Sequence, residues 1–133
     1  MFKITPIQEK TRQKEICEIC DAEFRPDAFA YQMYDIESGE IMGMSQFEIG
    51  ACGYIYDIKE APARDDFEAM FIMGRATLNF IDLCGVHYAF YKGEAETEEK
   101  QRLIKAIGFK QTESGTFEID LNGFFTDHCH DKK

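Results

Sequence analysis

Hydrophobic residues recur along this chain with two periods, roughly every second position in short runs and every third or fourth in longer ones, and the switches between them mark successive elements. The longest helical pattern covers residues 67–84, where the strongly polar side chains Glu68, Arg75, Asn79 and Asp82 stack into one narrow stripe. A helix patterned this way is expected to be buried over most of its circumference. It follows the apolar run 53–58 after a break at Glu60-Ala-Pro-Ala-Arg64, which makes a strand, loop and helix unit. The start of such a helix offers unpaired backbone N–H groups, a favourable place for phosphate.

The flanking elements read in order. Residues 2–7 form a short first strand. Residues 8–24 form a helix ended by Pro26, with Ile16, Ile19, Cys20 and Phe24 facing inward and Lys10, Arg12 and Lys14 keeping the early turns wet. Two apolar runs, 29–36 and 41–49, flank Glu37-Ser-Gly-Glu40, a connection of hairpin length, so they should pair antiparallel. A tight turn at 50–53 leads into strand 54–58 and completes a three-strand meander. Gly85 stops the long helix, and 86–91 is an aromatic strand that should lie parallel to 54–58. Residues 96–107 form an amphipathic helix with Leu103, Ile104 and Ile107 inward, Glu98, Glu99, Lys100 and Lys105 on its charged surface, and Gly108 as its cap. Residues 109–112 and 116–121 close the sheet as a hairpin. The tail 128–133 has no core pattern and is expected to fray, leaving 1–127 as one domain. This order describes an α+β layer architecture, a mixed sheet covered by helices.

Composition narrows the function classes. The length of 133 residues suits a single domain, and 44% hydrophobic content with 12 Phe supplies a substantial core. A net charge of −10 argues against nucleic acid, whose backbone selects basic faces, and it reads first as solubility, with a cationic partner as the alternative. The first residues lack a signal-peptide pattern and no stretch approaches the roughly 20 apolar residues of a membrane helix, so a cytoplasmic protein is expected. Five cysteines is an odd number, and Cys17, Cys20, Cys52 and Cys84 fall inside apolar patterns, as reduced thiols do. The Cys17/Cys20 pair and the His128-Cys129-His130 tail would bind metal only if the fold brought them together, and no metal is assigned to them.

The element order resembles that of the GNAT superfamily of acyl-CoA-dependent N-acyltransferases, whose sheet is mostly antiparallel, twisted, of about seven strands, with helices on both faces. Two local pieces carry the likeness: Ile36-Glu-Ser-Gly-Glu-Ile-Met-Gly43, similar to the family's hairpin and following glycine, and Leu103-Ile-Lys-Ala-Ile-Gly-Phe109, similar to its late helix ending in Gly-Phe. The resemblance implies acetyl-CoA as cofactor, a pantetheine arm admitted where two strands part, and a Gln/Arg-x-x-Gly-x-Gly/Ala turn that cradles the pyrophosphate. On this chain the turn is Arg64-Asp65-Asp66-Phe67-Glu68-Ala69, with Ile58 and Glu60 on the strand before it as further cofactor-side candidates. Arg64 and Ala69 match. Phe67 stands where the family has glycine, and Asp65, Asp66 and Glu68 bring three negative charges to an anion's place. Aspartate at a helix start is also an ordinary structural choice, as a cap for free N–H groups.

N-acyl transfer needs a base for the amine and a proton for the departing thiolate. The candidates for the base are Glu48, Tyr54, Tyr56 and Asp57, and strand alternation places Tyr54 and Tyr56 on one face and Asp57 on the other. Tyr88, Tyr91 and His87 read more simply as packing or structural residues. Where the resemblance implies a tyrosine acid, four residues before the Gly-Phe pair, this chain has Ile104. Three functions follow: an acetyltransferase acting on a small amine or peptide N-terminus, a non-catalytic module of the same fold that binds a ligand or protein, or a self-associating homodimer that pairs strands such as 29–33.

Overall fold

The computed structural model describes residues 1–62 and 64–125; the tail 128–133 lies outside the described residues. Strand β1 (Phe2–Pro6) leads to helix α1 (Lys10–Ile19), then to β2 (Phe29–Asp35), β3 (Ile41–Ile49) and β4 (Gly53–Glu60). Helix α2 (Phe67–Leu83), β5 (Tyr88–Tyr91), helix α3 (Glu98–Ile107), β6 (Lys110–Gln111) and β7 (Phe117–Asp120) follow. The strands form one seven-stranded sheet in the order β1-β2-β3-β4-β5-β7-β6. Every neighbouring pair is antiparallel except β4 and β5, as expected for strands joined through a helix.

Strand β3 shows how the two faces are divided. Met44 packs with Ile16, Cys17 and Cys20 of the α1 side, and Gln46 accepts a 2.9 Å hydrogen bond from Gln13 of α1. The intervening residues point the other way: Ser45 meets Thr77 of α2 at 2.9 Å, and the Phe47 ring lies against Phe80. Alternation along one strand thus fixes α1 and α2 on opposite faces. The larger core lies between the sheet, α2 and α3, where Met33, Phe47, Ile55, Ile58, Met73, Leu78, Ile81 and Ile104 are buried.

Several local expectations change. Helix α1 is ten residues long, not seventeen: it ends before Asp21, whose φ of 57° is left-handed, so the chain leaves the helix well before Pro26. Ile19 is 42% exposed, and Gln13 takes an inward position instead. Helix α2 buries Ala69, Met70, Met73, Gly74, Thr77, Leu78 and Ile81, which is one face rather than most of the circumference, and Ile72 and Leu83 lie toward water. Helix α3 begins at Glu98 because Thr97 caps it, its side chain accepting from the Lys100 N–H at 3.1 Å. Four cysteines, Cys17, Cys20, Cys52 and Cys84, are free thiols among the described residues. Among those residues no helix is long and apolar enough to cross a membrane.

The two helices on one face meet at Gly74. A methyl group placed there would lie 2.3 Å from the Ile107 side chain, so the absence of a Cβ is what lets α3 approach. Gly74→Ala is expected to lower stability by about 1–3 kcal/mol through overpacking, despite alanine's better helix propensity. A urea midpoint equal to or above the parent's would contradict that packing.

Candidate functional site

Strand β4 organises the candidate site because it loses its neighbour halfway along. Gly53, Tyr54 and Ile55 pair with Ala89, Phe90 and Tyr91 of β5, and the Lys92 N–H donates to the Ile55 carbonyl at 2.7 Å. Beyond that point β5 ends, and the second half of β4 has no strand on that side. The parting implied by the resemblance is present.

At the top of the opening stands the start of α2. The first amides of a helix have no partner inside it and must find one elsewhere. Here the protein supplies carboxylates: Glu60 Oε2 accepts the Asp66 N–H at 2.7 Å, and Asp66 Oδ1 accepts the Ala69 N–H at 3.0 Å as an N-cap. The amides of Phe67 and Glu68 have no hydrogen-bond partner among the described residues. Arg64 turns away to Glu40 at 3.7 Å, and Glu68 is exposed. The Phe67 ring forms part of the cavity wall and carries the Arg102 guanidinium at 4.8 Å.

Lys100 closes the opening from α3. Its ammonium donates to the carbonyl of Ile58, so the long side chain crosses the gap that β5 leaves. It belongs to the inward face of α3 and not to the charged surface expected of it. Burial pulls its pKa below the ordinary lysine value. What remains open is a cavity of about 130 Å³ whose charged lining includes Glu60, Asp65, Glu94 and Glu99 against Lys100. Small-molecule sites commonly occupy roughly 300–1,000 Å³. Coenzyme A, with its pyrophosphate and further phosphate, does not fit this set: two amides of the helix start and the strand carbonyl are already bonded, and the walls are anionic.

A second group lies on the α1 face of the same strand. The pairing of β3 with β4 slips between Gln46↔Asp57 and Phe47↔Ile55, leaving Tyr56 as an extra residue. That bulge breaks the alternation. Ile55 and Ile58 both enter the α2-side core, and Tyr56 and Asp57 both meet Arg25, the ring 4.3 Å from its guanidinium carbon and the carboxylate 3.9 Å from Nε. Asp57 therefore shares a face with Tyr56, against the simple alternation. Tyr56 donates to Glu48 at 2.9 Å, and Gln46 Nε2 donates to Asp57 at 2.7 Å. Tyr54 stacks on Phe90 with centroids 5.6 Å apart.

Burial raises the Asp57 carboxyl above the ordinary aspartate value, and the Gln46 donor and the cations Arg25, Lys59 and Lys100 offset part of the rise. Burial, then the bond to Glu48, raises the Tyr56 hydroxyl. The Arg25 Nε is buried and unbonded among the described residues. Ile104, at the position of the implied tyrosine acid, is fully buried in the core and offers no proton. Arg25, Gln13 and Gln46 went unnoticed in the sequence because each lies on a different element. Only Gln13 carried a signal, being in step with Ile16, Cys17 and Cys20 at helical spacing.

The raised Asp57 value has a stability consequence with a definite sign. A carboxyl whose folded pKa exceeds its unfolded one, near 3.9, favours the folded state while protonated and costs stability as pH rises from that value through the folded one. Asp57→Asn removes the cost and keeps an oxygen for Gln46. The variant is expected to gain stability relative to the parent as pH rises through that window, reaching a plateau above it. Urea midpoints across that range would show it, and a pH-independent difference would contradict it.

No protein-family model and no curated protein matches the sequence. Solved structures do match it. A point mutant of the spermidine N-acetyltransferase SpeG from Vibrio cholerae superimposes with a TM-score of 0.75 at 10% identity, over 96% of this chain and 98% of that one. An acetyltransferase assigned to the GNAT family from Desulfovibrio desulfuricans gives 0.69 at 10% identity, over 91% and 99%. An N-acetyltransferase from Staphylococcus aureus gives 0.68 at 11% identity, over 92% and 99%. With its seven-stranded, mostly antiparallel sheet, the parted β4 and β5, and near-complete superposition on these enzymes, the chain has the fold of the GNAT superfamily.

Proposed function

We propose that this chain is a GNAT-fold module that has lost efficient coenzyme A binding and acts by binding a ligand or protein partner. One observation carries the reading: the protein's own carboxylates, Glu60 and Asp66, hold the amides of Asp66 and Ala69 at the start of α2. An incoming pyrophosphate would have to displace two anions and then sit among Asp65, Glu94 and Glu99. A helix dipole adds roughly 0.3–1 kcal/mol per favourable contact, which a single nearby like charge offsets at these distances.

The alternative is an N-acetyltransferase acting from acetyl-CoA on a small amine or a peptide N-terminus. What favours it is the group at the β4 bulge, where the Asp57 carboxyl, raised by burial, lies beside Tyr56, Glu48 and Arg25. In that reading Asp57 takes the proton of an ammonium acceptor, and Glu48 and Tyr56 orient it. Tyr54 lines the same face on its stack with Phe90.

Calorimetric titration with coenzyme A and acetyl-CoA separates the two. The parent chain is expected to show no saturable binding at millimolar ligand, and Phe67→Gly combined with Asp66→Lys is expected to gain affinity by roughly tenfold or more, the equivalent of one favourable charge contact. Tight binding by the parent, with thiol release in the presence of amines, would overturn the proposal in favour of the enzyme.

A further inference from the structure

At the far end of α2 from the helix start lies a cavity of a different character. It encloses about 370 Å³, within the range of small-molecule sites, and its walls are the rings of Phe29, Tyr31, Phe47 and Phe80. The rings brace one another: Phe80 stands edge-on to Tyr31, Phe47 and Phe29 at centroid distances of 5.8, 5.8 and 6.2 Å. Rings at these distances are in direct contact, so together they form one continuous apolar wall against which a planar guest can pack. Phe29 is 53% exposed at the mouth, an unusual position for so large an apolar side chain.

The polar groups around this cavity differ in sign from the rest of the molecule. In a chain of net charge −10, no acidic side chain lines it, and the single charged residue on its wall is Lys10. The Lys10 ammonium donates to the Ala28 carbonyl at 2.6 Å and to Gln13 Oε1 at 3.1 Å. That commits two of its three donors and leaves one, and no carboxylate lies within ion-pair distance of it among the described residues. The Tyr31 hydroxyl, on a half-buried side chain, also has no hydrogen-bond partner among the described residues. The hydroxyl is open to solvent, and its donor is available to a guest in the cavity.

We infer that this cavity binds a small aromatic carboxylic acid, its ring packed against the wall that Phe29, Phe47 and Phe80 form and its carboxylate received by the remaining donor of Lys10 and the Tyr31 hydroxyl. The apolar walls select the ring, and the donors select the anion. No carboxylate lines it, and the Lys10 ammonium repels a cation, which separates this site from the acidic cavity at the start of α2. The two sites share no lining residue, so the outcome with coenzyme A and the outcome here are independent.

The test uses the full chain and phenylacetate, with phenylacetamide as its neutral counterpart, followed by calorimetry and by amide shifts. Phenylacetate is expected to bind saturably and about tenfold more tightly than phenylacetamide, the difference one charge-assisted hydrogen bond makes. Lys10→Met keeps the apolar stem and is expected to abolish that preference while leaving phenylacetamide affinity in place. Phe29→Ala, at the half-exposed mouth of the cavity, is expected to weaken both ligands while its circular dichroism spectrum stays that of the parent. Absence of saturable binding by the parent, equal affinity for the two ligands, or phenylacetate binding unchanged in Phe29→Ala would each overturn the inference.

Discussion

Every helix must satisfy the N–H groups of its first turn, and in this protein that requirement shapes the region around β4 and α2. The carboxylates of Glu60 and Asp66 meet part of it from within the chain. Glu60 is the last residue of β4 and Asp66 the cap of α2, so these bonds also tie the strand to the helix across the loop between them. In the fold's ligand-binding form the same amides would face an anion. Filling them internally ties strand to helix and occupies two of the donors a phosphate would use, so one arrangement accounts for both that tie and the poor fit for coenzyme A.

The parted strands follow the same logic. Where β5 stops, the carbonyls of β4 lose their ladder, and an unpaired buried carbonyl is costly. Lys100 reaches across to Ile58 and restores a partner. Its burial lowers its affinity for a proton, and Glu94, Glu60 and Asp57 counter that effect. The acidic residues around the cavity therefore have a local role: they hold a charged lysine in a partly buried gap. On the opposite face the bulge at Tyr56 brings Asp57 beside Arg25, so a single irregularity in β4 assembles the polar group on the α1 side.

Much of the architecture was legible in the order of patterns. The three-strand meander, the parallel β4–β5 pair, the long α2 and the closing hairpin all follow from switches between period two and period 3.6. At two helix positions a polar side chain is turned inward. Gln13 precedes Ile16, Cys17 and Cys20, and Lys100 precedes Leu103, Ile104 and Ile107; both sit three, four and seven residues ahead of buried positions, on the inward face. Each reaches a polar group on the sheet, Gln46 in one case and the Ile58 carbonyl in the other. The bulge was not legible, because period-two alternation carries no mark of one extra residue. The cap was: Asp66 reads as a helix start, and it is one. Its consequence for the neighbouring amides needed the partner from β4, which only the tertiary structure supplies.

The most direct measurement is the position of the Asp66 and Ala69 amide resonances in the parent, in Glu60→Ala and in Asp66→Ala, with and without coenzyme A. If Glu60 and Asp66 hold these amides, Glu60→Ala moves the Asp66 resonance upfield, Asp66→Ala does the same to that of Ala69, and added coenzyme A leaves both parent resonances where they were. Resonances that ignore loss of the carboxylates, yet move saturably in the parent with coenzyme A, would show that the helix start is open to the cofactor and would contradict this.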